Sequence, residues 1–263
     1  MTIETHLDSA RERARSERDA VQKKESAYKQ FISRVQDLSP ESIQRGQHTA
    51  AFTGGGTQIS EAPIQTETNC STVRTAFQDT VCPHSVDDRD DEPLLETIRA
   101  ELSDSIAMAV APTTETRLTR DLQEAIVAEA QTRRVELQTM NTALAREIDQ
   151  LEIALSTVTP ILEWLVDANE TALTKLGFDA LQARHSTLET HRESCETLLR
   201  DRQAFLHQTT SRAAKAGITH QTLVEYLYRD FPVDHPVLST GVRLDGLCAE
   251  GQQTVRSHLV RRV

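Results

Sequence analysis

The sequence predicts an all-α protein, built of long heptad-bearing helices with an antiparallel helical hairpin of coiled-coil type and a flexible linker. Three observations carry this. The 263 residues include only nine Gly, eight Pro, six Phe, three Tyr and one Trp, whereas Ala, Leu, Glu, Gln and Arg abound, as in long helices rather than sheets joined by tight turns. Apolar residues recur in alternating steps of three and four over long stretches. Most of the Pro and Gly fall between those stretches, where they punctuate the chain.

The first stretch is residues 2–38, part of an N-terminal coiled-coil segment over 1–39. Its seam runs Ile3, Leu7, Ala10, Ala14, Glu17, Val21, Lys24, Tyr28, Phe31, Val35 and Leu38. Glu17 and Lys24 interrupt it. Pro40 ends the helix, because the residue before a proline is pushed out of the α region. Residues 40–68 read as a flexible linker: Gly46, Gly54, Gly55, Gly56 and Pro63 lie among Gln, Thr and Ser, and no periodicity survives. The glycine triplet has no Lys-Ser/Thr after it and no strand before it, so it does not read as a phosphate loop.

A helical domain over 69–263 follows. A short helix is expected over 70–81, with Val73, Phe77 and Val81 on one face. The acidic stretch Asp87 to Glu92 reads as a solvated linker, since its pattern lacks the ligand spacing of a calcium loop. One helix is expected from about 93 to 110, entered at Pro93 and carrying Leu94, Leu95, Ile98, Leu102, Ile106 and Val110.

The longest pattern spans 115–173. One row holds Leu137, Leu144, Leu151, Val158, Leu165 and Ala172; the other holds Asn141, Ile148, Leu155, Leu162 and Asn169. Pro160 predicts a kink or break near 156–160, with Trp164 packing over it. A turn at Gly177 leads into a helix over 178–213, with Leu181, Leu188, Cys195 and Arg202 in one row and Leu198 and Phe205 in the other. The short connection requires the two to fold back antiparallel, as a hairpin over 115–213. A short segment, Leu223 to Arg229, and a C-terminal helix over 236–261 complete the chain. The N-terminal helix is expected to dock on the hairpin or the C-terminal helix rather than pair with a copy of itself, because its tether keeps the effective concentration high.

Charge narrows the function. There are 40 acidic and 29 basic residues, a net charge of −11, and Lys occurs only at 23, 24, 29, 175 and 215. An acidic surface repels phosphate backbones and anionic membranes. Acid excess with scarce Lys fits a salt-adapted proteome, where the Debye length is about 3 Å at 1 M salt and self-repulsion is screened. The apolar run Ile161 to Val166 is interrupted by Glu163 and is far too short for a membrane span. Residues 1–19 are charged throughout, so a cytoplasmic location is expected.

Residue patterns that signal chemistry are few. The sequence has no Walker, HExxH, GxSxG or dinucleotide fingerprint. The four cysteines (Cys70, Cys82, Cys195 and Cys248) have no disulfide-framework spacing. His191 and Cys195 share a helix face, and Cys82 and His84 form a second pair. Together they have the ligand types of a zinc site, but the seam position of Cys195 favours a core role. The segment 218–250 is the one candidate for a DNA-reading helical unit, and it carries about as many acids as bases. The arginines at 11, 13, 15 and 18 alternate with acids, as on a solvated coiled-coil face. No catalytic, cofactor-binding or metal residue is assigned.

Several short motifs carry a resemblance. They are Asp91-Glu92-Pro93-Leu94, Leu118 to Ala130 (LTRDLQEAIVAEA), Cys195 to Gln203 (CETLLRDRQ), Tyr226-Leu227-Tyr228 and Pro236-Val237-Leu238. In this order and spacing the chain resembles a family of uncharacterised haloarchaeal helical proteins that share a domain of unknown function. The resemblance implies habitat and an all-α architecture and supplies no mechanism. The expected function is therefore a non-catalytic cytoplasmic scaffold or protein-interaction protein. It would act through helix–helix contacts, with a protein partner or with itself through the heptad seams, and without a cofactor. The alternatives are a DNA- or transcription-associated regulator, and a metal-binding or hydrolytic protein whose site assembles only in the tertiary fold.

Overall fold

The computed structural model describes residues 5–40, 69–85, 93–114, 116–207 and 219–261. Every regular element among them is helical: α1 (Leu7–Gln36), α2 (Asn69–Thr80), α3 (Leu94–Glu101), α4 (Asp104–Val110), α5 (Arg120–Glu170), α6 (Phe178–His207), α7 (His220–Leu227) and α8 (Pro236–Val260), with 3-10 turns at Cys82–His84 and Leu173–Lys175. Linker residues 41–68 and the acidic stretch 87–92 lie outside the described residues.

The chain divides into two compact units that do not follow its linear order. One comprises Met1–Asp19 with Thr139–Val263; the other is Ala20–Gln138. Both α1 and α5 contribute to each.

In the unit of residues 20–138, α1 buries Tyr28, Phe31, Ile32 and Val35 against Val73 and Phe77 of α2, Ile98 and Leu102, Ile106 and Val110 of α4, and Ile126 and Ala130 of α5. Phe31 and Phe77 meet edge to face at 5.5 Å, a geometry their ring quadrupoles favour. The end of α1 leaves carbonyls without helical partners. Gln123 of α5 donates one amide to the Val35 oxygen in the last turn and to the Leu38 oxygen just beyond it, at 2.7 and 2.8 Å.

The single helix expected over 93–110 is two. The chain breaks at Leu102, where φ is −114° and ψ −85°, and restarts at Ser103, whose hydroxyl accepts the Ile106 N–H. Serine is a strong N-cap because its oxygen satisfies an orphan donor. The heptad spacing concealed the break, since Leu102 and Ile106 are buried on both sides of it.

In the other unit, α5 and α6 form the expected antiparallel hairpin. Along α5 the contacts run from Glu147 to Trp164 to Thr171, while their partners run backwards along α6, from Arg202 to His191 to Arg184. The six seam residues expected on α6 are all buried. On α5 the first row is buried at Leu144, Leu151 and Val158 and gives way at half-buried Leu165 and exposed Ala172; the second is buried at Ile148, but the inward positions around it shift by one residue. Glu147, Ala154 and Ile161 are buried, whereas Leu155 and Leu162 are only half-buried and Asn169 is exposed.

α5 does not break at Pro160. The ring lies on the exposed side while Val158 and Ile161 beside it are buried. Helix hydrogen bonds on the solvent side are the longest and weakest, so a missing donor costs least there. Trp164 packs on His191 of α6, with ring centroids 5.0 Å apart.

α8 lies antiparallel along α6. Arg192 donates to Asp245 at 2.9 Å and to Gln252 at 3.3 Å, and Gly241 faces Leu199 and Gly251 faces Leu188. The first turns of α1 lie in the same unit. Arg15 pairs with Glu152 at 2.7 Å, Arg18 donates to Asn141 at 3.0 Å, and Glu17 accepts from the Tyr226 hydroxyl at 3.0 Å.

Candidate functional site

The polar chemistry of the hairpin unit concentrates where α5, α6 and α7 meet. Glu147 sits on the inward face of α5, three residues after Leu144 and four before Leu151, so helical geometry carries it into the core with them. Arg202 occupies a seam position of α6 and reaches it from the opposite helix. Nη1 donates to Oε2 and Nη2 to Oε1, both at 2.8 Å. Tyr228, just beyond α7, donates its hydroxyl to Oε1 at 2.7 Å. Burial, reinforced by the Glu147 charge, raises the Tyr228 pKa and keeps its proton in place.

Aromatic rings continue the cluster. The Arg202 guanidinium lies 5.3 Å from the Phe205 ring centroid, and Phe205 lies 4.4 Å from the His220 ring. His220 is buried at the start of α7, held there by a reciprocal Thr219–Thr222 capping box. Its Nδ1 is buried with no hydrogen-bond partner among the described residues. Burial lowers its pKa, Arg146 and Arg202 lower it further, and Glu147 opposes them.

The unit of residues 20–138 repeats the chemistry with different residues. Glu101 accepts from Lys24 at 2.6 Å and from the Tyr28 hydroxyl at 2.8 Å. Tyr28 also donates to the Glu101 carbonyl at 3.1 Å, and Arg133 donates to that oxygen at 3.0 Å. In each unit a buried tyrosine hydroxyl is tied to a carboxylate that a cation neutralises. Lys24, which interrupts the α1 seam, is thereby explained.

A groove of about 440 Å³ opens between α5 and α6 beside Arg202. Ile153 and Thr157 border it from α5; Glu193, Ser194, Leu198 and Asp201 border it from α6.

The Cys and His residues weighed for zinc do not converge. Cys82 and His84 sit in the 3-10 turn of one unit, and His191 and Cys195 belong to the other. Among the described residues no group of three or more potential ligands comes together. His191 instead packs its ring on Trp164, and burial lowers its pKa. Cys195 and Cys248 face the α6–α8 interface as free thiols. Burial, with Cys248 and Asp245 adding to it, pushes Cys195 up to about 12; burial and Asp245 push Cys248 up to about 11. Neither is a thiolate near neutrality, so neither is primed as nucleophile or metal ligand. The DNA-reading candidate, 218–250, supplies α7 and most of α8, and α8 uses one face against α6.

A family model described as a domain of unknown function (DUF7260) matches residues 5–252. The chain belongs to the DUF7260 family. The matched span takes in both carboxylate–tyrosine clusters and the whole hairpin. No curated protein and no solved structure matches the chain. No helix among the described residues is long and apolar enough to cross a membrane.

Sequence reasoning missed Glu147. Its one signal was Arg202, a charged residue in an otherwise apolar row, which required an anionic partner from another helix.

Proposed function

We propose that this DUF7260 protein is a non-catalytic cytoplasmic scaffold that acts through helix–helix contacts with a protein partner, in a haloarchaeal cell. One observation carries the reading: the buried charges of the hairpin unit, Glu147 and Arg202, are consumed by pairing one helix to another. Both oxygens of Glu147 are occupied by Arg202 and Tyr228. A general acid or base must reach substrate and exchange protons with it, and a carboxylate clamped in this way is a structural element. Burial pushes Cys195 and Cys248 far above the range of reactive thiols. Exposed Ile153, Val166 and Val242 leave apolar surface on α5 and α8 for further helix contacts.

Affinity capture of the tagged full-length chain from a high-salt cell extract tests this. A protein recovered in stoichiometric amount is the expected result. Recovery of nucleic acid without protein would replace the scaffold with the DNA-associated alternative. The salt-adapted habitat has its own readout: with a net charge of −11, helicity and Tm should rise from low to multimolar KCl as self-repulsion is screened and apolar burial strengthens. Identical melting curves at both extremes would remove that part of the proposal.

A further inference from the structure

The groove between α5 and α6 is weighted toward hydrogen-bond acceptors, with Gln150 of α5 supplying the one uncharged side-chain amide among its described lining residues. Thr157, Thr190, Ser194 and Thr197 line it, and each hydroxyl donates to a carbonyl of its own helix: to Ile153, Ser186, Thr190 and Glu193, at 3.1, 3.3, 3.0 and 2.9 Å. Their protons are committed, so they present only lone pairs to the groove. Glu193 and Asp201 add two exposed carboxylates on the same side of α6. Arg202 is the one cation among the described residues of the lining, and Glu147 behind it cancels its charge. The groove is thus anionic and rich in acceptors. It also has an apolar strip, with Leu198 buried in its wall and Ile153 53% exposed.

We propose that this groove receives arginine side chains from a helical segment of the protein partner. An arginine side chain matches each feature. Its methylene stem covers apolar surface such as Ile153 while its head reaches outward. Its guanidinium has five donors and no acceptor, and its planar fork fits carboxylates better than an ammonium does. The volume, about 440 Å³, lies within the range of sites that enclose sizeable ligand groups. This names the partner's chemistry and rests on the scaffold reading.

Fluorescein-labelled hexa-arginine, hexa-lysine and hexa-glutamate peptides, titrated against the full-length protein and followed by anisotropy, test it. Hexa-arginine should bind most tightly. The Glu193→Gln/Asp201→Asn double variant should weaken it about tenfold, with an unchanged Tm. The Asp230→Asn/Glu250→Gln variant makes the same change in net charge away from the groove and should bind like the wild type. Equal weakening by both variants, or by neither, overturns the groove assignment; hexa-lysine binding as tightly as hexa-arginine overturns the guanidinium preference. The scaffold reading is tested separately. A partner captured equally by wild type and the groove variant overturns the groove and keeps the scaffold. Groove-dependent peptide binding with no partner captured supports the groove and removes the scaffold.

Discussion

Arg202 holds both carboxylate oxygens of Glu147 in a fork of two 2.8 Å hydrogen bonds, with the two residues 2% and 0% exposed. Removing either partner leaves a buried charge uncompensated. Glu147→Leu or Arg202→Met should each cost about 3–5 kcal/mol, whereas the double replacement should recover much of the loss. Urea denaturation of the four proteins gives the coupling energy. Salt separates this pair from Arg15–Glu152, whose side chains are 47% and 48% exposed at 2.7 Å. The buried coupling should persist in molar KCl, while the exposed one should fade toward zero.

His220 sets a pH response. Its pKa in the folded protein lies below its ordinary value of 6.5, first through burial and then through Arg146 and Arg202. The unfolded chain therefore binds the proton more readily. Stability is full above pH 6.5, falls as pH drops below it, and levels off once the folded histidine is also protonated. His191 contributes in the same direction. Urea midpoints measured from pH 7.5 to 5 should decline in the wild type, less in His220→Gln, and less again in His191→Gln/His220→Gln. An unaltered slope in the double variant would rule these two histidines out as its source.

Thiol reactivity should rank by burial. Cys70, Cys195 and Cys248 are buried and Cys82 is half-buried. Cys70 also donates weakly to the Thr116 carbonyl at 3.3 Å. In native protein at pH 8, iodoacetamide should label Cys82 first, with Cys195 and Cys248 lagging by orders of magnitude until denaturant is added. Peptide mass mapping over time follows each site.

Two glycines of α8 should respond to alanine with opposite signs. A Cβ at Gly241 would lie 2.9 Å from Leu199 Cδ2 and 3.1 Å from its Cγ, whereas at Gly246 it would meet nothing within 4 Å. Gly246→Ala should stabilise by up to about 1 kcal/mol through helix propensity. Gly241→Ala gains the same propensity but pushes α8 against α6, with overpacking costs of about 1–3 kcal/mol. Thermal unfolding should therefore move up for the first and down for the second.

Apolar periodicity was a faithful guide where a helix buries only apolar residues. The six seam positions of α6 are all buried, and in α1 the row from Leu7 to Val35 is buried everywhere except at the half-buried Glu17 and Lys24. It misled on part of α5, because a reading that follows the bulky apolar residues selects Leu155 and Leu162 over the smaller Ala154 and passes over the charged Glu147. Which row faces inward depends on which helices flank α5, and those contacts join residues as distant as Arg15 and Glu152. The break at Leu102 was hidden for a related reason: two short helices can continue one apolar stripe, and only the Ser103 cap marks the interruption. The α6–α8 pairing had no local signature at all. Its specificity lies in Gly241 against Leu199 and in Arg192 against Asp245, contacts that neither helix displays alone.

The division of α1 between the two units carries a consequence for synthesis. Residues 20–138 form one unit, and all of them are synthesised before any of 139–263 exists. The first turns of α1 belong with those later residues, where Arg15 meets Glu152 and Glu17 meets Tyr226. At about 5–20 residues per second, Leu7, Ala10 and Ala14 must wait many seconds for the surface that buries them. During that interval the growing chain presents an uncovered apolar end to the cell, a window in which chaperones and neighbouring nascent chains compete for it.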